Sequence, residues 1–336
     1  MTERRQPQEG DPEVGGNEPI EKIALEEHFC APGLEPSIED VSFFDPDILK
    51  GIERQLVEIS EQRLQLMDRS GIAIAVLSQT APGVQSLRDP ELAAELAKRA
   101  NQFLKQRINA APDRFRGFAC VALQDVGSAC DALRWCVEEL GFVGALVNSS
   151  TCGMYLDEPH LAPFWSTLER LNVPLYLHPG LLPDRPLSFR GHPELEGAVW
   201  GWTCDTAAHA LRLVFAGVFD RHPGARVILG HMGETLPYML WRLDSRAAIT
   251  PIGRRLSRVP SETLRHHVLV TTSGVCADPP LRCALMALGD DAVMFATDHP
   301  YEDCELAARW IENASISEAQ RLRICTATAR RVLRLG

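Results

Sequence analysis

The chain has 336 residues, 45% of them hydrophobic and 24% charged, enough to bury a large core in one barrel or in two smaller domains. Its formal net charge of −11 argues against a nucleic-acid or anionic-membrane surface, which needs clustered Lys and Arg; a small anionic substrate remains open. The ten cysteines stand singly, with no CxxC pair and no His at zinc-finger spacing, and those at Cys120, Cys136 and Cys325 read as small apolar fillers.

Residues 1–20 are polar and rich in Glu, Gly, Pro and Arg, with no apolar core of a signal peptide. They read as a disordered N-terminal tail, and residues 21–336 as a single barrel domain. No run approaches the ~18 apolar residues of a membrane span, so a reduced, cytoplasmic protein is expected and the N-x-S sequons at Asn148 and Asn313 carry little weight. From residue 22 onward a short apolar run alternates with a longer segment of helical spacing. Continuous β-rich runs predict strands at 22–27, 72–77, 117–122, 143–147, 174–177, 226–229, 268–271 and 292–296, the pattern of strands buried on both faces. Helical spacing predicts helices at 49–69, 90–111, 126–140, 161–171, 206–221, 236–248, 280–288, 303–313 and 317–335. Eightfold strand–helix alternation predicts an α/β fold, a (β/α)8 TIM barrel. An open doubly wound sheet is second, because neither GxGxxG nor GxxxxGK[ST] occurs. The same absence disfavours a nicotinamide dehydrogenase, and no organic cofactor is expected. Longer insertions follow the first strand (29–50) and the fifth (179–204), and both are expected over the C-terminal rim of the barrel.

Polar residues close the predicted strands: Glu26-Glu27-His28, Asn148, His178, His231, Thr272-Ser273 and Asp298-His299. A barrel gathers all of these at one face. Alternation puts Glu26 and His28 on one side of the first strand and Glu27 on the other. Glu26, His28, His178 and Asp298 then offer two imidazoles and two carboxylates, a set suited to Zn2+ or another first-row divalent ion, with Mn2+ and Mg2+ also admitted. The alternative, hydrogen-bonded polar residues plugging a barrel mouth, requires four coincidences. His231 and Glu234 are spaced to form a pair that fixes the imidazole tautomer and raises its basicity, unless Glu234 only favours a helix N-terminus. Arg242 either reaches a substrate carboxylate or makes an ordinary helix ion pair. His209, His222, His266 and His267 read as packing or capping residues, while His299 and His192 stay open.

The segments Ala-Leu-Glu-Glu-His-Phe (24–29), Gly-Phe-Val-Gly-Ala-Leu-Val-Asn (141–148), Pro-Leu-Tyr-Leu-His-Pro (174–179), Val-Ile-Leu-Gly-His-Met-Gly-Glu (227–234), Thr-Thr-Ser-Gly (271–274) and Ala-Thr-Asp-His-Pro-Tyr-Glu (296–302) resemble the amidohydrolase-superfamily decarboxylases that act on γ-resorcylate and 2,3-dihydroxybenzoate. The resemblance runs from about residue 22 to the C-terminus. It implies one divalent metal per chain on Glu26, His28, His178 and Asp298, with His231 and Glu234 beside it and Asn148 contacting substrate. It also implies a small aromatic carboxylic acid as substrate and a homodimer or homotetramer. The implied reaction is non-oxidative decarboxylation of a hydroxybenzoate, with metal on the carboxylate and ortho-hydroxyl and Asp298 protonating the ipso carbon. Metal-dependent hydrolysis of a lactone, ester or amide on the same centre is the second reading, and a catalytically silent scaffold is the third. This chain departs from the family pattern at Val275, at Asp298-His299-Pro300-Tyr301, and at Trp202 and Asp205, positions expected to line the pocket and alter its specificity.

Overall fold

The computed structural model describes residues 20–37 and 44–336; the predicted tail, apart from Ile20, lies outside the described residues. Eight strands, β1 (Lys22–Phe29), β2 (Ile72–Gln79), β3 (Phe115–Cys120), β4 (Gly144–Asn148), β5 (Leu175–His178), β6 (Val227–Leu229), β7 (Val268–Thr271) and β8 (Val293–Met294), follow one another in a parallel sheet in chain order. The sheet curls until its edges meet. Leu25 N–H donates to Phe295 O, Asp298 N–H to Glu26 O and His28 N–H to His299 O. The molecule is a (β/α)8 barrel, as predicted.

Its interior is a layer of alternate side chains: Ile23, Leu25, Ile74, Val76, Phe118, Leu146, Tyr176, Ile228, Leu269 and Met294. Ala329, Val332 and Leu333 of the C-terminal helix close the lower end. Counting on by twos from this layer leads to Ser78, Asn148, His178, Gly230, Thr271, Ser273, Ala296 and Asp298 at the upper rim. The exception is β1, where the register slips between Ala24 and Glu27. Ile23 and Leu25 face the interior, so without the slip Glu27 would follow them inward. The slip turns Glu26 and His28 in instead, as a bulge re-aims a side chain.

Several element boundaries differ from prediction for local reasons. The helix expected over 49–69 is two, Pro46–Val57 and Glu61–Arg69. The apolar spacing slips from Ile59 to Leu64, five residues, and the Glu58 carboxylate accepts from Ser60 N and Arg63 N at the start of the second helix. The helix expected over 206–221 begins at Gly201 and breaks before Gly217, which sits at φ +67°. The second insertion is therefore shorter than predicted, and Trp202 lies on a helix. Pro260–His267 forms a helix not foreseen. β8 stops after Met294 because Phe295 N–H donates to Ile324 O. That carbonyl lies in a wide π-turn, Arg323–Ala327, interrupting the last predicted helix, where an enlarged turn loosens the i→i−4 ladder. No helix among the described residues is long and apolar enough to cross a membrane.

Phe118 is 1% exposed and packs on the Tyr176 ring at 5.7 Å. Truncation to Ala is expected to cost about 3–5 kcal/mol, read as a lower denaturant midpoint at unchanged slope.

Candidate metal centre

The four predicted ligands, Glu26, His28, His178 and Asp298, meet at the barrel rim with their ligand atoms within 4.8 Å of one another, and all four residues are buried. His178 Nε2 lies 3.2 Å from Glu26 Oε1, and His28 Nε2 lies 3.2 Å from Asp298 Oδ1. Space for the Glu26 carboxylate is made by Gly230, where a Cβ would stand 2.8 Å from both carboxylate oxygens.

The chemistry of this set fits a divalent cation. His178 Nδ1 donates to Pro179 O at 2.7 Å, which leaves a lone pair on Nε2 of the neutral ring. That lone pair confronts a lone pair on Glu26 Oε1. Glu26 Oε1 and His28 Nε2 are buried without a hydrogen bond, a costly arrangement that a cation bound between them removes. The outer atoms of the ligands are held in place. The other Glu26 oxygen accepts from Tyr176 Oη, and from Thr271 Oγ1 at 3.2 Å. His28 Nδ1 faces Ser78 Oγ at 3.3 Å.

His231 and Glu234 lie not at a helix start but in a left-handed turn. His231, Met232, Gly233, Glu234 and Thr235 all have positive φ, a cost concentrated where geometry matters for function. The turn folds Glu234 back so that His231 Nδ1 donates to its Oε1 at 2.7 Å, and it aims Nε2 at Asp298 Oδ2, 3.4 Å away. Ser273 Oγ accepts from His231 N at 2.9 Å, and Gly274, at φ +62°, leaves room for the ring. Helix-terminus capping is therefore not what Glu234 does. Asp298 itself sits at φ +68°, with Oδ1 toward the ligand set and Oδ2 toward His231.

The charges follow. Burial opposes ionisation of Glu26, but the neighbouring charge of His231 outweighs it and holds its carboxyl well below the usual range. Burial likewise opposes a charge on Asp298, yet the His231 imidazole hydrogen-bonded to its Oδ2 and the His28 imidazole beside its Oδ1 keep it low. Burial lowers His28 and keeps it neutral, as a metal ligand must be. For His231 burial is outweighed by Glu234, Glu26 and Asp298, so its pKa stands well above the ordinary imidazole value. Glu27 points the other way. Burial pushes it up to about 8 despite the nearby Arg63 guanidinium and hydrogen bonds from Thr297.

Two connected spaces lie above the quartet. One, of about 110 Å3, is bounded by Phe44, Thr80, Tyr301 and Trp202. The other, of about 570 Å3, runs outward past Val275. Both are lined by His231, Asp298 and Trp202. Both insertions contribute, Phe44 from the first and Leu181 and Ala198 from the second.

Not every predicted contact is brought here. Asn148 is buried, but its amide donates to Gln79 O and Thr80 O, so it braces the loop after β2 and lines neither space. Arg242 is exposed. The helix Leu236–Ala247 buries Leu236, Pro237, Leu240 and Ala247, and position 242 lies on its outer side, outside the residues lining the cavities. Asp205 accepts from Ser149 and Tyr155 and borders a different cavity, and His299, which pairs with β1 through its backbone, is buried and lines neither of the two spaces. His192 lies exposed beside Glu194. His209 accepts from Leu156 N, and His267 donates to Ala225 O, so these are packing residues as expected. Residues the sequence reading missed are Tyr176, Thr271 and Ser78. Each lies two residues along its strand from a site residue or an interior apolar one, and that alternation is the signal that finds them.

A parallel barrel carrying a buried two-histidine, two-carboxylate quartet at its C-terminal rim defines a barrel enzyme of the metal-binding kind. The amidohydrolase family matches residues 57–335, and the chain belongs to it. It is 43% identical over 331 residues to the γ-resorcylate decarboxylase of Rhodococcus jostii, covering 94% of this chain and 98% of the relative. A second γ-resorcylate decarboxylase, from a Rhizobium species, is 42% identical with the same coverage. Among solved structures, 2,6-dihydroxybenzoate decarboxylase in complex with 2,6-dihydroxybenzoate superposes with a TM-score of 0.87 at 41% identity, covering 94% of this chain and 99% of that one. A dihydroxybenzoic acid decarboxylase from a Polaromonas species, with bound manganese and the inhibitor 2-nitroresorcinol, superposes with a TM-score of 0.87 at 40% identity, covering 94% and 97%.

Tyr176→Phe removes one donor to Glu26 and keeps the ring. It is expected to weaken divalent-metal affinity about 10- to 100-fold in chelator competition, with the unfolding midpoint of the metal-free protein little changed.

Proposed function

We propose that the chain is a metal-dependent, non-oxidative decarboxylase of hydroxybenzoate-type acids. The observation that supports this most is the coincidence of an intact Glu26–His28–His178–Asp298 quartet with decarboxylase relatives above 40% identity along nearly the whole chain. A divalent ion held there, Mn2+ or Zn2+ by the donor set, supplies a Lewis acid and a template for the substrate's carboxylate and ortho-hydroxyl oxygens.

The chain's own residues then move one proton. His231, charged at neutral pH, stores it at Nε2 beside Asp298 Oδ2, and Glu234 holds the ring by Nδ1. Asp298 takes this proton and delivers it to the ipso carbon, so a C–H bond forms there. The bond from that carbon to the carboxylate breaks, CO2 leaves, and its electron pair restores the aromatic ring. Neither oxidant nor reductant is consumed. Asp298 is low when it faces two histidines, so its transient protonation depends on His231 as donor. Trp202, Tyr301 and Phe44 frame the ring and keep water from it. Hydrolysis on the same centre is not favoured, because the relatives described above are decarboxylases.

Protein prepared without chelator is expected to hold about one Mn or Zn per chain by elemental analysis, and Asp298→Ala to lose most of it. Hydroxybenzoates are expected to release CO2. Asp298→Asn, which keeps a ligand oxygen but carries no transferable proton, is expected to lower kcat by about 10²- to 10⁴-fold. A wild type that takes up none of Zn, Mn or Mg, or releases no CO2 from any hydroxybenzoate, refutes the proposal.

A further inference from the structure

The helix Glu61–Arg69 packs on the outer side of the barrel wall. It buries one charged residue beside Met67, namely Arg63, which is 3% exposed. A buried guanidinium is costly unless its N–H groups are paired, and here they are paired sparingly. Nη2 donates to His28 O at 2.8 Å and, more weakly, to Gln55 O at 3.4 Å, while Nε and Nη1 are buried without a partner. The nearby carboxylates are engaged elsewhere. Glu27 accepts from Thr297 N at 3.0 Å and from Thr297 Oγ1 at 2.8 and 3.0 Å, and Glu58 accepts from the Arg63 backbone N–H. For stability alone, an apolar side chain of similar length serves this position as well. The one short bond of the guanidinium falls instead on the backbone of a candidate metal ligand.

That carbonyl belongs to the part of β1 most in need of an outside donor. The register slips between Ala24 and Glu27, and the slip turns Glu26 and His28 into the chamber. Beside this part of β1 the neighbouring strand has already ended, since β8 stops at Met294. The end of β1 is held instead by the chain beyond β8, through Asp298 N–H to Glu26 O and His28 N–H to His299 O. Arg63 supplies the next donor, to His28 O. A site-forming side chain must be held within about 0.5 Å of its working position, and a tilt of the His28 peptide plane carries the imidazole with it. Through Gln55 O the same guanidinium also ties this strand end to the helix Pro46–Val57, which follows Phe44 of the inner space.

We propose that Arg63 is a positioning residue of the metal centre: from outside the barrel wall it fixes the His28 carbonyl, and so holds the slipped end of β1 in the attitude that completes the quartet. Its effect on metal binding follows from the geometry of the quartet alone, and its effect on turnover rests on the decarboxylase reading.

The test compares Arg63→Met, Arg63→Lys and Met67→Ala with the wild type. Arg63→Met deprives His28 O of its donor but also removes an under-paired charge from the interior, so the unfolding midpoint of the metal-free protein is expected to move little. Its affinity for Mn2+ and Zn2+ in chelator competition is expected to fall about 10- to 100-fold. The visible absorption of the Co2+-loaded protein, which reports coordination geometry, is expected to change as well. Arg63→Lys, which keeps a charge and a donor, is expected to recover part of the affinity. Met67→Ala is expected to lower the midpoint and leave metal affinity and the Co2+ spectrum unchanged. Wild-type affinity and spectrum in Arg63→Met overturn the inference, and so does an equal loss of affinity in Met67→Ala, which assigns the effect to helix packing. If Arg63→Met does not fold, wild-type affinity in Arg63→Lys together with an unchanged spectrum overturns it, and an intermediate affinity upholds it. CO2 release by the wild type with unaltered metal binding in Arg63→Met leaves the decarboxylase reading standing without the positioning role. Weakened metal binding in Arg63→Met, with no CO2 from any hydroxybenzoate in the wild type, keeps the positioning role and sinks the decarboxylase reading.

Discussion

Two carboxylates and three imidazoles share one buried chamber at the barrel rim, and at its centre a lone pair of His178 faces a lone pair of Glu26. Outside a cation's field this arrangement is unfavourable, since buried polar atoms without partners are costly. Much of the surrounding architecture serves to keep those atoms pointed inward all the same. Tyr176 and Thr271 occupy the far oxygen of Glu26, Pro179 O occupies Nδ1 of His178, and Gly230 leaves the carboxylate its volume. With their outer hydrogen-bonding positions satisfied, the ligands have one direction left in which to bind.

The left-handed turn from His231 to Thr235 is the second costly feature, and it explains how one histidine joins the chamber without completing the ligand quartet. A right-handed helix at this point would carry the His231 ring along the helix surface. The positive φ angles instead fold Glu234 against Nδ1 and turn Nε2 onto Asp298. Two oxygens of one carboxylate thereby acquire different surroundings, one facing the ligand set and one facing a charged imidazole. In the proposed reaction, that division is what would let a single residue serve as ligand and as proton carrier.

The fold was largely legible in the linear pattern because a parallel barrel buries every strand on both faces, and continuous apolar runs separated by helical spacing have few other uses. The quartet was legible for a related reason. Polar residues ending buried strands must converge where the strands converge. The right pairing of Glu26 with His28 came from alternation, yet that rule is silent on which alternate set faces inward. Ile23 and Leu25 imply the opposite phase, and only the register slip before Glu27 reverses it. Contacts across the chamber, such as Tyr176 with Glu26, join residues 150 positions apart and leave no local trace beyond a polar ring in a buried strand.

The sequence by itself determined the barrel, its order of strands and the four candidate ligands that meet at its rim, because burial and alternation are properties of neighbouring residues. The tertiary structure alone decided that Glu234 grips His231 through a left-handed turn, that Asn148 braces a loop, and that Arg242 and Asp205 lie away from the cavity while Trp202 and Val275 form its walls. Those outcomes depend on backbone dihedrals and on which faces of different elements meet. Both are settled by packing between segments distant in sequence, where no local pattern records them.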